Sequence, residues 1–365
     1  MDKAIATAGC SFEPRSGVRM QPTAQAVGEE HYVKPRRGER RFALIFLKPH
    51  RFLAGCLAVL GLLNQATAAL SPQDLLAAGH VDEAIQTLQQ QTTRAPTDAE
   101  AHNLLCRAYF QLEEWDRGIS ACERSVTLDP AKSFYHLWLG RIYGEKADRA
   151  GFLSAAGMAK KVRNEFERAV QLDPNSWEAR TDLAEFYLEA PGIVGGGKDK
   201  TRAQADALTT LKPAMAHYIL ARIAEKNKNN ANAEREYRAA IEASQGGAHA
   251  WLNLALFYRH TGRFDEMEQT LHTMETRPTD RPESFMDGAS ILFRTGRNFP
   301  FAIQLLKRYL SGPVEAEPAF KAHYLLGQLL EKQEDRAAAA EEYRAALALA
   351  HEFTRAREAL KRIEH

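Results

Sequence analysis

The 34 residues from Ala99 to Lys132, AEAHNLLCRAYFQLEEWDRGISACERSVTLDPAK, constrain what this chain can fold into, because their pattern returns through nearly everything that follows. His102, Leu105, Cys106 and Tyr109 fall three, one and three residues apart, which places them on one face of a first helix. Gly118, Cys122 and Ser125 do the same for a second. The stretch is a predicted helical hairpin. A unit this short cannot bury its apolar stripe alone, so recurrence implies stacking of neighbour on neighbour.

The order of residue types also recurs: aromatic or His, then Leu plus a small residue, then Tyr, small, medium, small and Pro. With its period it resembles the tetratricopeptide repeat. The resemblance implies an all-α fold, an α-solenoid in the form of a right-handed superhelix of about eight helical hairpins. Repeats are expected near 69–98, 99–132, 133–176, 177–213, 214–247, 248–281, 282–319 and 320–353, so that the solenoid covers 69–353 and residues 354–365 form a capping helix. The first repeat is truncated, with Ser71 as N-cap and Pro72 at the first helical position. The 133–176 repeat is ten residues too long, which predicts a lengthened second helix or an added turn. Asn298-Phe299-Pro300 predicts a kink. Gly118, Gly140 and Gly327 fall mid-helix, where each costs about 0.5–1 kcal/mol against Ala unless close helix approach repays it.

Ahead of the repeats, residues 1–51 lack periodicity and hold ten Lys/Arg against five Asp/Glu, a disordered basic leader. An apolar stretch, 52–68, follows a basic flank and ends in Ala66-Thr67-Ala68, the three parts of a secretory signal with cleavage near Ala68. Export to the periplasm or outside the cell is the expectation. Retention of residues 52–70 as a membrane anchor, or acylation of Cys56 in Leu53-Ala54-Gly55-Cys56, is the alternative. From Phe52 onward 38 Lys/Arg face 42 Asp/Glu, a mildly acidic body that argues against nucleic acid as partner.

Catalytic chemistry has little to stand on, and no enzyme, cofactor or metal site is expected. Gly192 to Lys198 spells G-x-x-x-x-G-K, but Asp199 stands where a phosphate-binding loop needs Ser or Thr, and a helix precedes it. The insertion Ala190 to Lys200 resembles a loop of bacterial exported tetratricopeptide proteins carrying APGxxGG. His102, His136, His217 and His323 share the slot filled by Trp251 and Phe285 elsewhere, which predicts packing of imidazole in place of a larger ring. Cys106 and Cys122 face one another in one hairpin: buried thiols are expected, and a disulfide is the alternative in an oxidising compartment.

Such stacks usually bind proteins or peptides on the concave face lined by first helices. Arg107, Arg141 and Arg222 share one offset there with Glu185 between them, and Asn103, Phe110, Tyr218, Arg259 and Tyr324 are neighbours. The Arg row suits acidic side chains or a peptide carboxylate. The Lys and Asn set of chaperone-tail-binding members is not reproduced. The reading is a non-enzymatic protein-interaction scaffold of the bacterial cell envelope, or a membrane-tethered assembly factor using the same surface.

Overall fold

The computed structural model describes residues 70–149, 152–279, 281–312, 314 and 318–364. The leader, the 52–68 segment and the cleavage point near Ala68 lie outside them. Helix α1 (Pro72–Ala77) begins as the local chemistry dictates: the Asp74 N–H donates to Ser71 Oγ at 3.1 Å, the Asp74 carboxylate accepts from the Ser71 N–H, and Pro72 leads the helix. Its hairpin partner is α2 (Val81–Arg94).

Further hairpins follow in strict succession: α3 (Ala99–Leu112) with α4 (Trp115–Leu128), α5 (Ser133–Ala147) with α6 (Phe152–Leu172), and α7 (Trp177–Glu189) with α8 (Lys198–Leu211). Then come α9 (Pro213–Lys226) with α10 (Asn230–Ala243), α11 (Ala248–His260) with α12 (Phe264–Glu275), α13 (Glu283–Thr295) with α14 (Phe299–Leu310), and α15 (Ala319–Lys332) with α16 (Arg336–Leu349). Helix α17 (Thr354–Glu364) lies on α16. The described residues contain no strand, and no helix among them is long and apolar enough to cross a membrane.

Each hairpin closes on the residues that set its period. Leu105, Cys106 and Tyr109 of α3 are buried with Cys122 and Ser125 of α4. At Gly140 of α5 a Cβ would lie 2.5 Å from two atoms of the fully buried Phe166 ring on α6, and at Gly327 of α15 it would lie 2.5 Å from Tyr343 on α16. Those distances are far inside van der Waals contact, so only Gly lets these helix pairs come so close. The ten extra residues of the third hairpin are absorbed as length, α6 running for 21 residues. Asn298 produces no kink. It sits in the left-handed region at φ 44°, its side chain accepts from the Phe301 N–H, and Pro300 occupies the first turn of α14, so the tripeptide is a helix start.

The insertion after α7 folds back on its own hairpin. Gly197 N–H donates to Tyr187 O at 2.8 Å, and Arg163 of α6 reaches Val194 O. At Gly196 a Cβ would stand 1.8 Å from Ala190 O, which demands glycine. Lys198 Nζ donates to Asn227 Oδ1 at 2.5 Å, so the lysine of the phosphate-loop look-alike is already held by a neighbouring repeat.

From Ser71 onward the solenoid is one unit, and its ends touch. His351, just past α16, donates from its backbone N–H and from Nδ1 to Asp82 Oδ2 of α2, at 2.7 and 2.6 Å. Arg355 of α17 pairs with Glu113, the residue after α3, at 2.8 Å, and Lys321 of α15 lies 3.7 Å from the same carboxylate. At Gly79 a Cβ would stand 3.0 Å from that of Ala319. The superhelix thus brings its last hairpin back against its first, so the concave face is bounded on the side that an open spiral leaves free.

Candidate functional site

Curvature identifies the inner face. Successive first helices pack on one another, α3 on α5, α7 on α9, α9 on α11, α11 on α13 and α13 on α15, while second helices do not pack on second helices to that extent. The layer on the inside of the bend is therefore the first-helix layer. Side chains two to three turns into these helices line it, and the expected Arg row lies there.

The row is not uniform. Arg222 of α9 is saturated: its guanidinium contacts Glu185 at 3.2 Å, Glu189 at 2.9 Å and Glu225 at 3.5 Å. Burial opposes its charge, yet Glu185 and its neighbours outweigh that and hold its pKa well above the usual arginine value. Tyr218, one turn earlier, is raised by burial and by Glu185. This stretch carries three carboxylates around Arg222 and Lys226, and Lys226 also pairs with Glu189, at 2.6 Å. Neither cation is left over for an acidic ligand.

Arg141 of α5 is half used. Its Nε donates to Asp182 of α7 at 2.6 Å, while Nη1 and Nη2 are buried without a hydrogen-bond partner among the described residues. Burial raises the Asp182 carboxyl and the Arg141 charge restrains that rise. Arg107 of α3 makes no ion pair among the described residues. Its guanidinium lies 5.3 Å from the Trp138 ring centre and 5.8 Å from that of Phe134. Arg141 stands 5.3 Å from the same indole. Burial, with the like charge of Arg141 adding to it, pushes Arg107 down to about 10.

The other expected neighbours divide. Asn103 is buried one turn before Arg107, its Nδ2 without a partner among the described residues. Phe110 belongs to the core, edge-on between Trp115 at 5.6 Å and Trp138 at 5.5 Å, so it supports the face from behind and is not presented to a ligand. Arg259 donates to His260 at 3.0 Å, and burial with nearby Arg294 lowers its pKa. Tyr324 packs on Tyr343 and Phe353 beside the closure of the two ends. Trp138 is not among the residues that the sequence points to. It stands one residue past the offset of Asn103, and a first-helix Trp at that offset is the signal that could have found it.

The histidine register has a hydrogen-bonding reason. His136, His217 and His323 each place Nδ1 against a glutamate of the second helix of their own hairpin: Glu165 at 2.6 Å, Glu236 at 2.9 Å and Glu342 at 2.6 Å. The sequence separation is 19 residues in two of the pairs and 29 in the pair that spans the ten-residue lengthening. His102 instead faces Pro96 O at 3.3 Å, with Ala121 at the position 19 residues on. The cysteines depart from the expectation of free thiols: Cys106 and Cys122 are joined in a disulfide with their Cα atoms 5.1 Å apart. Their helices come close enough for the bond because both slots hold small residues.

Two family models described as tetratricopeptide repeat match this chain, one over residues 75–135 and the other over 199–248, 218–269 and 289–352, together more than half its length. The chain belongs to the tetratricopeptide repeat family. Among solved structures, the repeat protein is similar to yeast Tom70, at 15% identity and a TM-score of 0.49, covering 78% of this chain and 58% of that one. A thermophilic tetratricopeptide protein of Thermus thermophilus matches at 18% identity and 0.42, over 52% of this chain and 94% of that one. The human IFIT1 dimer with m7Gppp-AAAA matches at 14% identity and 0.41, over 74% and 68%. No curated protein matches the chain in sequence.

Proposed function

We propose that this tetratricopeptide protein is a non-enzymatic scaffold or adaptor of the bacterial cell envelope that binds a peptide or protein partner on its inner face. The observation that carries the reading is the set of buried donors at Asn103, Trp138 and Arg141 that no acceptor among the described residues satisfies, on the face that the repeats line in series. Repeat stacking supplies a rigid, extended surface of the kind suited to a linear partner. The mildly acidic body supports a protein over a nucleic acid.

Export is supported by the basic flank and short apolar run of the leader, and by the Cys106–Cys122 disulfide, since such bonds persist in oxidising compartments. A membrane-tethered assembly factor is the second reading, favoured by the apolar character that continues to Leu70. N-terminal sequencing of the mature protein separates the two: a start at Ala69 supports release, and an intact 52–70 segment supports an anchor.

Capture of partners from envelope extract tests the inner face itself. A variant carrying Arg259→Glu, which reverses the charge of a partly exposed residue of α11 that is one of the expected inner-face residues, is expected to lose the partner that the parent protein retains. Equal capture by both, or capture of nucleic acid alone, overturns the reading.

A further inference from the structure

The two ends of the solenoid meet in a joint unlike those between its neighbouring hairpins, because the contacts across it are made at helix tips. Asp82 stands at the start of α2 and Glu113 just past α3, while Ala319 opens α15, His351 follows α16 and Arg355 lies at the start of α17. No helix of α1–α3 lies along one of α15–α17, so the ridges and grooves that lock consecutive first helices together are missing here. The apolar part is correspondingly thin. Phe320, Ala346, Ala350, Phe353 and Ala356 share the buried cluster of α1–α7, whose buried members skip from Tyr187 to Phe320, so they reach it through space and not along the chain. Three of the five are alanines, and the two rings, 4.8 Å apart, largely cover each other. What remains is charge, sorted by sign: Asp82 and Glu113 on one lip, His351, Arg355 and Lys321 on the other. The side chains of His351 and Arg355 are 68% and 52% exposed, and pairs this exposed hold weakly and are screened by salt.

We propose that this joint is a gate: the last hairpin and α17 part from α1–α3, opening the closed solenoid on one side and admitting a partner to the inner face laterally. Opening of this kind falls to the part of a fold with the fewest buried apolar contacts and the most exposed polar ones, and the joint answers to both. Closed, the solenoid admits only a segment that enters by one of its mouths. Open, it takes a stretch from the middle of a chain whose two ends stay outside. Because each lip carries one sign of charge, reversing a single residue sets like charges tip to tip, and Arg355 is the exposed member of its pair, with the Glu113 side chain only 13% exposed. The admission of a partner rests on the inner-face reading given above, whereas the opening itself does not.

Double electron–electron resonance between spin labels at Gln86→Cys of α2 and Lys361→Cys of α17, both exposed positions, reads the distance across the joint. The full chain is used with Cys10→Ser and Cys56→Ser, Cys106 and Cys122 being held in their disulfide. The parent is expected to show a short distance with a minor longer one, and the longer population is expected to grow as NaCl rises from about 0.1 to about 1 M and the screening length falls to ~3 Å. Arg355→Glu is expected to raise that population about threefold or more at low salt, while Arg355→Lys stays near the parent. Arg336→Glu, an exposed position at the far end of α16 from His351, is the control and is expected to change nothing. A distance that neither salt nor Arg355→Glu alters, a long distance alone in the parent, or an equal rise in Arg336→Glu overturns the gate. Lateral admission is tested by joining Asp82→Cys to His351→Cys with a short bismaleimide: the locked protein is expected to lose the partner captured from envelope extract, and equal capture by locked and unlocked protein overturns it. Opening seen by resonance in a protein whose Arg259→Glu variant captures partners as the parent does would leave the gate standing and sink the inner-face reading alone.

Discussion

Replacing Gly140 by Ala tests the helix packing that builds the whole solenoid. Two terms of opposite sign compete. In a helix interior Ala is favoured over Gly by about 1 kcal/mol. Against that, the new Cβ would lie 2.5 Å from Cδ1 and 2.5 Å from Cε1 of Phe166, a ring with no exposed surface and nowhere to turn. Overpacking of this kind costs about 1–3 kcal/mol, so the net expectation is destabilisation of up to about 2 kcal/mol. Gly157, on the neighbouring helix α6, is the control, because a Cβ there meets nothing within 4 Å and the helical gain stands alone. Gly157→Ala is therefore expected to stabilise by about 0.5–1 kcal/mol. Urea titration followed by far-UV circular dichroism compares the two, with Gly140→Ala/Phe166→Leu as the rescue that restores space. Midpoints that rise together in both single variants would refute the claim that α5 and α6 touch at this glycine.

Reduction of Cys106–Cys122, which spans a sequence separation of 16, is expected to cost about 3 kcal/mol of stability through the loop it closes in the unfolded chain. Dithiothreitol should lower the urea midpoint of the parent and leave that of Cys106→Ala/Cys122→Ala unmoved; an insensitive parent contradicts the bond. Two histidines give pH dependences of opposite sign. Burial and the adjacent Arg281 hold His249 well below its ordinary 6.5, so its share of stability is full above about pH 6.5 and is lost as pH falls toward the folded value. The hydrogen bond to Asp82 raises His351 above 6.5, with Glu352 adding and Arg357 opposing, so the contact between the ends is strongest below that pH and weakens as pH rises through the folded value. His249→Gln should flatten the acid limb of a thermal-melting profile, and Asp82→Asn should abolish any pH dependence of a fluorescence distance between the two ends; an unchanged profile in either variant sinks the corresponding assignment.

The irregular places show how far local pattern reaches. The lengthening of the 133–176 hairpin is visible as ten surplus residues, and it becomes length in α6 because Ala155, Ala156 and Ala159 keep a helical spacing. Asn298-Phe299-Pro300 reads as a kink but is none, since a proline two residues into a helix has no intrahelical bond to lose, and Asn298 accepts the left-handed φ that starts the helix. The pattern places the cysteines on facing helices, but their bonding depends on a separation that spacing alone does not supply. Phe110 looks like a surface aromatic by its offset, yet its ring packs edge-on between Trp115 and Trp138.

The sequence by itself determined that this protein is a stack of helical hairpins and which of their faces are apolar. Period and residue size are local properties of the chain, and Gly140 or Gly327 announces a close contact before its partner is known. Only the tertiary structure decided which inner-face charges remain available. Arg107, Arg141 and Arg222 occupy equal offsets, but the acids that meet them come largely from other repeats. Among the described residues, superhelical geometry delivers two glutamates of α7 to Arg222, which also has Glu225 of its own helix, one aspartate to Arg141 and no ion-pair partner to Arg107. The same geometry brings Asp82 to His351 across 269 residues. Contacts between repeats depend on the small rotation added at every hairpin, and that sum is written in the packing of the whole stack and not in any one repeat.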